Sequence, residues 1–329
     1  MSEPVITVAM SAYNAGPFVS ESIESILAQG FGDFEFLIVN DGSTDGTGAI
    51  IDDYAGQDSR IVAIHQENGG LIAALNRTID LARGRWTARM DADDVALPDR
   101  FERQLAFLDS HPECGILGGN SKIIDSSGAE LDRPSIDRPL RHEDILANFR
   151  DGPNLHHPTI MVATELLRKV NGYRLPFRVA QDYDLYLRLI PHTRFANLDD
   201  ALLLYRVHDE QASTKRLMRQ TLSAVVAWLA HEARMAGRPD PVQGLTELPA
   251  PGTLDALFEV KGADAWARAK IMERIIYSPD ILAQEGFGVL LDHVRDVGSQ
   301  PHLWRIVPRL ARAGYVGRSA RLGATLAAA

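Results

Sequence analysis

The chain has a single cysteine, Cys114, among its 329 residues, so no internal disulfide can form, and its apolar flanks read as plain core. No apolar run approaches the roughly 20 residues that span a bilayer. The opening stretch, MSEPVITVAM, has no basic region before its strand-like pattern, which argues against a signal peptide. These absences favour a cytoplasmic protein. No G-x-G-x-x-G follows a strand pattern, which weighs against a dinucleotide enzyme. A formal net charge of -10 disfavours nucleic acid as a partner. Acidic residues are missing from one region in particular. From Val297 onward there is no Asp or Glu, while Arg305, Arg309, Arg312, Arg318 and Arg321 are all basic. What remains is ordinary: 45% hydrophobic and 24% charged residues describe a globular chain, long enough for one large domain and a smaller appendage.

The first hundred residues alternate two patterns. Short β-rich runs at 5–10, 34–39, 61–65 and 86–90 are separated by stretches with helical spacing, such as Val19, Ile23, Ile26, Leu27 and Ile72, Leu75, Ile79. Such alternation predicts an α/β fold, with a mostly parallel central sheet and helices on both faces. Ligands of such sheets bind beyond the carboxyl ends of the strands. Polar segments follow three of the runs, namely Ser11–Asn14, Asn40–Ser43 and Asp91–Asp94, so they should meet along one sheet edge. An amphipathic helix is expected after Pro98, a strand near 115–124, and a loop over 125–139. Beyond Gln211 helix formers dominate, interrupted by a Pro/Gly-rich linker at 237–252. The chain is therefore divided into residues 1–211 and a helical extension, 212–329.

Three acidic residues in four positions, Asp91-Ala92-Asp93-Asp94, stand directly after a strand pattern. Carboxylates so placed can hold Mg²⁺ or Mn²⁺ against phosphate oxygens. The bland alternative is a solvated loop, with Asp94 or Asp99 capping the helix after Pro98. Asp41-Gly-Ser-Thr-Asp45-Gly46 resembles half of a calcium loop, but the twelfth position is Asp52 and a β run precedes it, so an EF-hand is rejected. Ser43, Thr44 or Asp45 capping the next helix is the plain reading. His156 and His157 are adjacent and point apart on an extended chain, which suits acceptor-side or structural roles better than a metal pair.

Six motifs occur in order: VAMSAYNAG (8–16), FEFLIVNDGSTDGT (34–47), QENGG (66–70), RMDADD (89–94), QDYDLYLR (181–188) and YRVH (205–208). Together they resemble the family 2 glycosyltransferases of the GT-A fold, over roughly residues 4–210. The resemblance implies an inverting transferase with a Rossmann-like domain at 1–211, acting on a nucleotide diphosphate sugar. It implies nucleotide contacts from Ser11, Tyr13, Asn14, Asp41, Asn68, Asn76 and Asp91, with Tyr13 on the base and Asp41 pairing with it. It also implies metal ligation of Mn²⁺ or Mg²⁺ by Asp93 and His208, and a general base at Asp182. Asp91 is the second candidate ligand, and Asp94 is read as a helix cap. The chain departs from the usual pattern at Asn40 and Gln181, where acidic residues are common, and at Leu75, where many relatives are basic.

Inversion at the anomeric carbon is a direct displacement, so the attacking hydroxyl must lose a proton to a facing carboxylate. Asp182 and Asp184 cannot both serve, since residues two apart on a helix face different ways. Pairing of Asp41 with a base N–H favours a UDP- or dTDP-sugar. The expected acceptor is a growing bacterial surface glycan, lipid-linked, and the basic C-terminus is a candidate peripheral contact with the inner face of the membrane. Gln300-Pro-His-Leu-Trp304-Arg305 has the wrong order for the Q-x-x-R-W motif of processive synthases, so transfer of one sugar is expected. Two rivals are a non-catalytic sugar-nucleotide-binding protein and a nucleotidyltransferase. The latter should carry a cation in its first loop, which Ser11–Gly16 lacks.

Overall fold

A computed structural model describes residues 3–132, 138–207 and 214–329. The chain separates into two compact units, Met1–Asp209 and Glu210–Ala329. The first opens with β1 (Ile6–Ala12), α1 (Val19–Leu27), β2 (Phe34–Asp41), α2 (Thr47–Gln57), β3 (Ile61–Gln66), α3 (Leu71–Leu81) and β4 (Trp86–Asp91). It continues with β5 (Val95–Ala96), α4 (Arg100–Ser110), β6 (Cys114–Ile124), α5 (His142–Ala147), β7 (Met161–Ala163), α6 (Thr164–Lys169), α7 (Gln181–Leu189) and β8 (Arg194–Arg206).

These strands form one eight-stranded sheet of order β3-β2-β1-β4-β7-β6-β8-β5. The four strands of the opening half are parallel, and β6 pairs parallel with β8. The three-residue β7 runs antiparallel between β4 and β6, and β5 pairs antiparallel with β8. Central position explains composition here. All eight residues of β2 are buried, as a strand covered on both faces requires, whereas β3 lies at the sheet edge and is only partly buried. Val19, Ile23 and Ile26 of α1 join Ile6, Val8, Met10, Phe36 and Ile38 in the core.

Register carries the polar segments together. Ser11 stands opposite Asp91, Ala12 opposite Asn40, and Asp41 opposite Gln66. In the order β3-β2-β1-β4 the chain reverses direction across the sheet beside β1, the usual place for a crevice in an open α/β sheet.

The base of this half is held by a buried carboxylate. Glu35 accepts Thr7 Oγ1–H at 2.7 Å, the Arg83 N–H at 2.7 Å, and Arg83 Nε–H at 2.7 Å. Gly84 follows, with its N–H on Thr7 Oγ1 at 2.8 Å. A Cβ at Gly84 would lie 2.3 Å from the Thr7 nitrogen and 2.6 Å from the Ile6 carbonyl carbon.

The second unit contains only helices among its described residues: α8 (Thr214–Met235), α9 (Leu254–Phe258), α10 (Ala263–Ile275), α11 (Pro279–Ala283), α12 (Gly286–Val297), α13 (Pro301–Trp304), α14 (Ile306–Arg312) and α15 (Val316–Ala328). Their buried stripes, including Val226, Ile271, Leu290, Val294, Leu303, Ile306, Leu310 and Leu322, make a separate core. Pro308 does not break α14. It stands in the first turn, where no intrahelical N–H bond is lost, and the chain breaks earlier, at Arg305.

Gly84→Ala should therefore destabilise the first unit by about 2–3 kcal/mol, because backbone rather than a flexible side chain blocks the new methyl group. Urea unfolding followed by tryptophan fluorescence measures this, and an unshifted midpoint would show that the α3–β4 turn can back away.

Candidate functional site

The loops after β1 and β2 are stitched to each other. The Asn14 N–H donates to Ser43 Oγ at 3.0 Å, and the Thr44 N–H returns to Asn14 Oδ1 at 2.9 Å. Asn14 adopts a left-handed backbone with φ of 49°, a conformation asparagine tolerates well. Gly16 donates to Asp45 Oδ2 at 3.1 Å, and Asp45 Oδ1 takes the N–H of Thr47 at 3.0 Å. Thr47 opens α2, so of Ser43, Thr44 and Asp45 it is Asp45 that satisfies the helix start. These bonds to Thr47, led by the one from its hydroxyl, hold the Asp45 carboxyl below its ordinary value. Tyr13 is left 53% exposed at the top of the loop, available for stacking, with Ser11 half-buried beside it.

Asp41 is 2% exposed and accepts three hydrogen bonds from the segment after β3. Gln66 Nε2 and the Gly69 N–H reach Oδ1 at 2.7 and 2.9 Å, and the Gly70 N–H reaches Oδ2 at 2.8 Å. The adjacent Gly42 has φ of +71°, and a Cβ there would lie 2.7 Å from the nitrogen of Asn68. Asp41 thus shapes the loop that presents the exposed Asn68. Asn76 is placed differently from the expectation of a nucleotide contact. Its amide clamps the backbone of Tyr173, donating to the carbonyl at 2.8 Å and accepting the N–H at 2.8 Å. Leu75, at the position often basic in relatives, is buried under α3 against the sheet.

The acidic cluster follows β4. Oxygens of Asp91, Asp93 and Asp94 lie within 4.8 Å of one another. Two guanidinium groups hold this segment, and the sequence reading had singled out neither, although both stand inside quoted motifs. Arg89, 6% exposed, pairs with Asp91. Burial opposes its charge, and Asp91 more than offsets that, so its pKa is raised. Arg206, 1% exposed, donates from Nε to the Asp93 carbonyl at 2.8 Å and from its backbone N–H to Asp94 Oδ1 at 2.9 Å. It also pairs with Glu21 and lies over the Phe18 ring at 4.8 Å.

Asp94 caps no helix, contrary to the expectation for it. It is fully buried, while the N-cap of α4 is Asp99, whose carboxylate pairs with Arg103 at 2.6 Å and makes no cap bond. Asp94 Oδ2 is buried without a hydrogen-bond partner. Burial first, then Asp91 and Asp93, push its carboxyl well above the ordinary range. A set of oxygen donors with one orphaned buried oxygen fits a hard divalent cation such as Mg²⁺ or Mn²⁺. His208 lies outside the described residues.

The structure separates the two carboxylates of QDYD. Asp184 is fully buried between Arg174, which reaches Oδ2 from Nε at 3.0 Å, and Arg188, which reaches the same oxygen at 2.9 Å. It is a structural anchor. Asp182, in the first turn of α7, is only half-buried. Desolvation raises its pKa, the Tyr183 N–H and then Arg89 lower it, and Asp91 raises it, with a net rise. Asp182 and Asp91 of the acidic cluster therefore both respond to one buried cation, Arg89. His156 and His157 do point apart. His156 Nδ1 meets Ser121 Oγ at 3.0 Å, and His157 Nε2 meets the Tyr173 hydroxyl at 2.8 Å. Burial, then Arg138, holds His156 down to about 3, so it is neutral near pH 7.

The sequence profile described as "Glycosyl transferase family 2" matches residues 7–170. A putative glycosyltransferase, EpsE of Bacillus subtilis, is 36% identical over 222 residues, 65% of this chain and 77% of that protein. The chain belongs to glycosyltransferase family 2. The O-antigen biosynthesis glycosyltransferase WbnJ of Escherichia coli is 31% identical, covering 65% of this chain and 84% of that one. Residues 1–349 of Staphylococcus aureus TarS, solved with UDP, share the fold with a TM-score of 0.56 at 17% identity, over 96% of this chain and 89% of that one. The mannosyltransferase PcManGT of Pyrobaculum calidifontis, solved with GDP-Man and Mn²⁺, gives a TM-score of 0.53 at 18% identity, over 100% and 86%. The protein is a glycosyltransferase of the GT-A type, with an α/β catalytic fold and relatives in bacterial polysaccharide biosynthesis.

Removing one partner of a buried ion pair leaves the other charge stranded. Arg89→Ala should therefore cost about 3–5 kcal/mol of stability, and the double variant with Asp91→Ala should recover part of it. Chemical denaturation of both variants measures the coupling; full additivity would show that the pair is not an energetic unit.

Proposed function

We propose that this transferase moves a single sugar, with inversion, from a UDP- or dTDP-sugar to a hydroxyl of a lipid-linked surface glycan. The observation that carries the reading is the company of a half-buried, desolvated Asp182, whose proton affinity responds both to Arg89 and to Asp91 of the acidic cluster at the end of β4. Residues 1–211 form the catalytic domain in this reading and 212–329 an accessory helical one.

The donor base stacks on Tyr13, with Ser11, Asn14 and Asn68 around the nucleotide. Asp41 is already engaged with its loop, yet Oδ2 receives one hydrogen bond and a carboxylate oxygen has room for two, so a base N–H can be accepted there. Asn76 acts from behind, by fixing Tyr173. Asp93, Asp94 and the oxygen of Asp91 not claimed by Arg89 would hold Mn²⁺ or Mg²⁺, with His208 a further ligand. Such an ion supplies positive charge to the departing diphosphate. Asp182 takes the proton of the acceptor hydroxyl as that oxygen attacks the anomeric carbon. A carboxylate with a raised pKa is a stronger base, and its desolvation makes proton uptake more favourable. Asp184 cannot substitute for it, because it is fully buried and its oxygens are taken by two arginines.

Thermal shift with UDP, dTDP, GDP and CMP, each with and without Mn²⁺, tests the donor assignment. UDP or dTDP with Mn²⁺ should raise Tm, by an amount that grows with ligand concentration. Stabilisation by GDP alone would overturn the base assignment, and Asp93→Asn should abolish the metal dependence. Asp182→Asn should lower kcat by about 10²–10⁴-fold with donor binding retained. Because Asp182 works ionised, the rate should fall as pH drops through a pKa above the ordinary aspartate value of about 3.9, and this limb should vanish in Asp182→Asn. Unchanged transfer by that variant would sink the general-base role.

A further inference from the structure

The helices α13 and α14 and the start of α15 carry a surface that the transfer reaction does not use. Leu303, Ile306 and Leu310 turn inward and are fully buried. The opposite stripe, at steps of three and four, presents Trp304, Arg305, Pro308, Arg309, Arg312 and, beyond the next turn, Val316. Apolar exposure concentrates here. Trp304 is 42% exposed, Val316 67% and Tyr277 77%, and the Arg309 guanidinium lies 5.3 Å from the centre of the Tyr277 ring.

Some cations of this unit are paired with carboxylates and others are not. Arg268 and Arg295 pair with Asp296 and Asp292 at 2.5 Å each. Arg305, Arg309 and Arg312 make no ion pair among the described residues, and no carboxylate side chain follows Asp296 in the sequence. The nearby acidic group is Asp280 of α11, which accepts the Tyr315 hydroxyl at 3.0 Å. A protein of net charge -10 thus concentrates unpaired positive charge beside an exposed Trp and Tyr. No helix of the described residues is long and apolar enough to cross a membrane.

We infer that this stripe docks the protein on the surface of an anionic bilayer, with Trp304 and Tyr277 in the headgroup region and Arg305, Arg309 and Arg312 against lipid phosphates. Aromatic rings with one apolar and one polar end favour the interface, and arginine pairs with phosphate through two parallel N–H groups. A soluble acidic partner would satisfy the arginines but leave the aromatic and Val316 exposure unexplained. The inference deepens the lipid-linked-acceptor reading, since docking brings the enzyme to the plane where such an acceptor lies. It is read without donor or metal, so its failure is distinct from failure of the catalytic assignment.

The test is co-sedimentation of the full chain with vesicles of phosphatidylcholine, alone and mixed with phosphatidylglycerol. Retention should require the anionic lipid and fall as salt is raised. Each arginine at such a surface contributes about fivefold, so Arg305→Gln/Arg309→Gln/Arg312→Gln should weaken partitioning roughly a hundredfold. Trp304→Ala should weaken it without changing the salt dependence, and diphosphate-induced thermal shifts should be unaltered in both variants. Equal retention on neutral vesicles, absence of retention, or an unaffected triple variant overturns the inference. Binding to soluble polyglutamate as strong as to anionic vesicles overturns it in favour of an acidic polymer.

Discussion

Three carboxylates gathered at the end of β4 repel one another, and the catalytic half of the molecule is arranged around holding them there. The holding is done by two buried guanidinium groups that approach from different elements. Arg89 comes from β4 itself and neutralises Asp91. Arg206 comes from the end of β8, more than a hundred residues later, and fixes the Asp93 carbonyl and the Asp94 carboxylate. This contact explains why β8 must be long and must run back beside β6 and β5: its last residue has to reach the acidic loop. The same arginine ties Glu21 of α1 into the arrangement, so α1, the acidic loop and β8 are tied by one side chain. Removing the Arg89 side chain would leave Asp91 without its cation, and removing that of Arg206 would take a donor from the Asp93 carbonyl and from Glu21.

Carboxylate chemistry in this fold is decided by partners rather than by residue type. Glu35 and Asp184 are both buried, and each accepts several N–H or guanidinium bonds. Asp94 has one oxygen satisfied and one orphaned. Asp182 has helix-start N–H bonds and distant Arg89, but is desolvated enough for its pKa to rise. The gradation separates anchors from reactive groups: a fully bonded carboxylate has no capacity for a ligand or a proton, whereas an incompletely bonded one does.

Much of this was legible beforehand. The alternation of β-rich runs and helical spacing gave the parallel half of the sheet, because a central parallel strand must be apolar throughout and leaves its polar residues at the carboxyl end. The placement of Ser11, Asp41 and Asp91 along one edge followed from that. The antiparallel insertion was not legible: β7 has three residues after Pro158 and is defined by its neighbours, not by its own pattern. Nor were the roles of Arg89, Arg206 and Asn76. A buried arginine looks like any other arginine in sequence, and Asn76 is expected at the nucleotide through the resemblance alone, whereas its amide holds the Tyr173 backbone. Asp94 was misjudged because a carboxylate near a helix start usually caps it. Here β5 intervenes, and the carboxylate turns inward to meet the last residue of β8.

The position of Arg89 also constrains how the two halves of the reaction can vary. Its guanidinium pairs with Asp91 of the acidic cluster and lowers the proton affinity of Asp182. Burial first, with Arg89 a smaller contribution, lowers the proton affinity of His156 and His157 and keeps them neutral. The acidic cluster and Asp182 are therefore linked electrostatically through a single buried cation. A change that loosened Arg89 from Asp91 would alter the proton affinity of Asp182 as well as the charge of the cluster. Around His156, by contrast, the contacts to Ser121 and Tyr205 are hydrogen bonding and ring packing rather than compensated charge, so substitutions there disturb no ion pair.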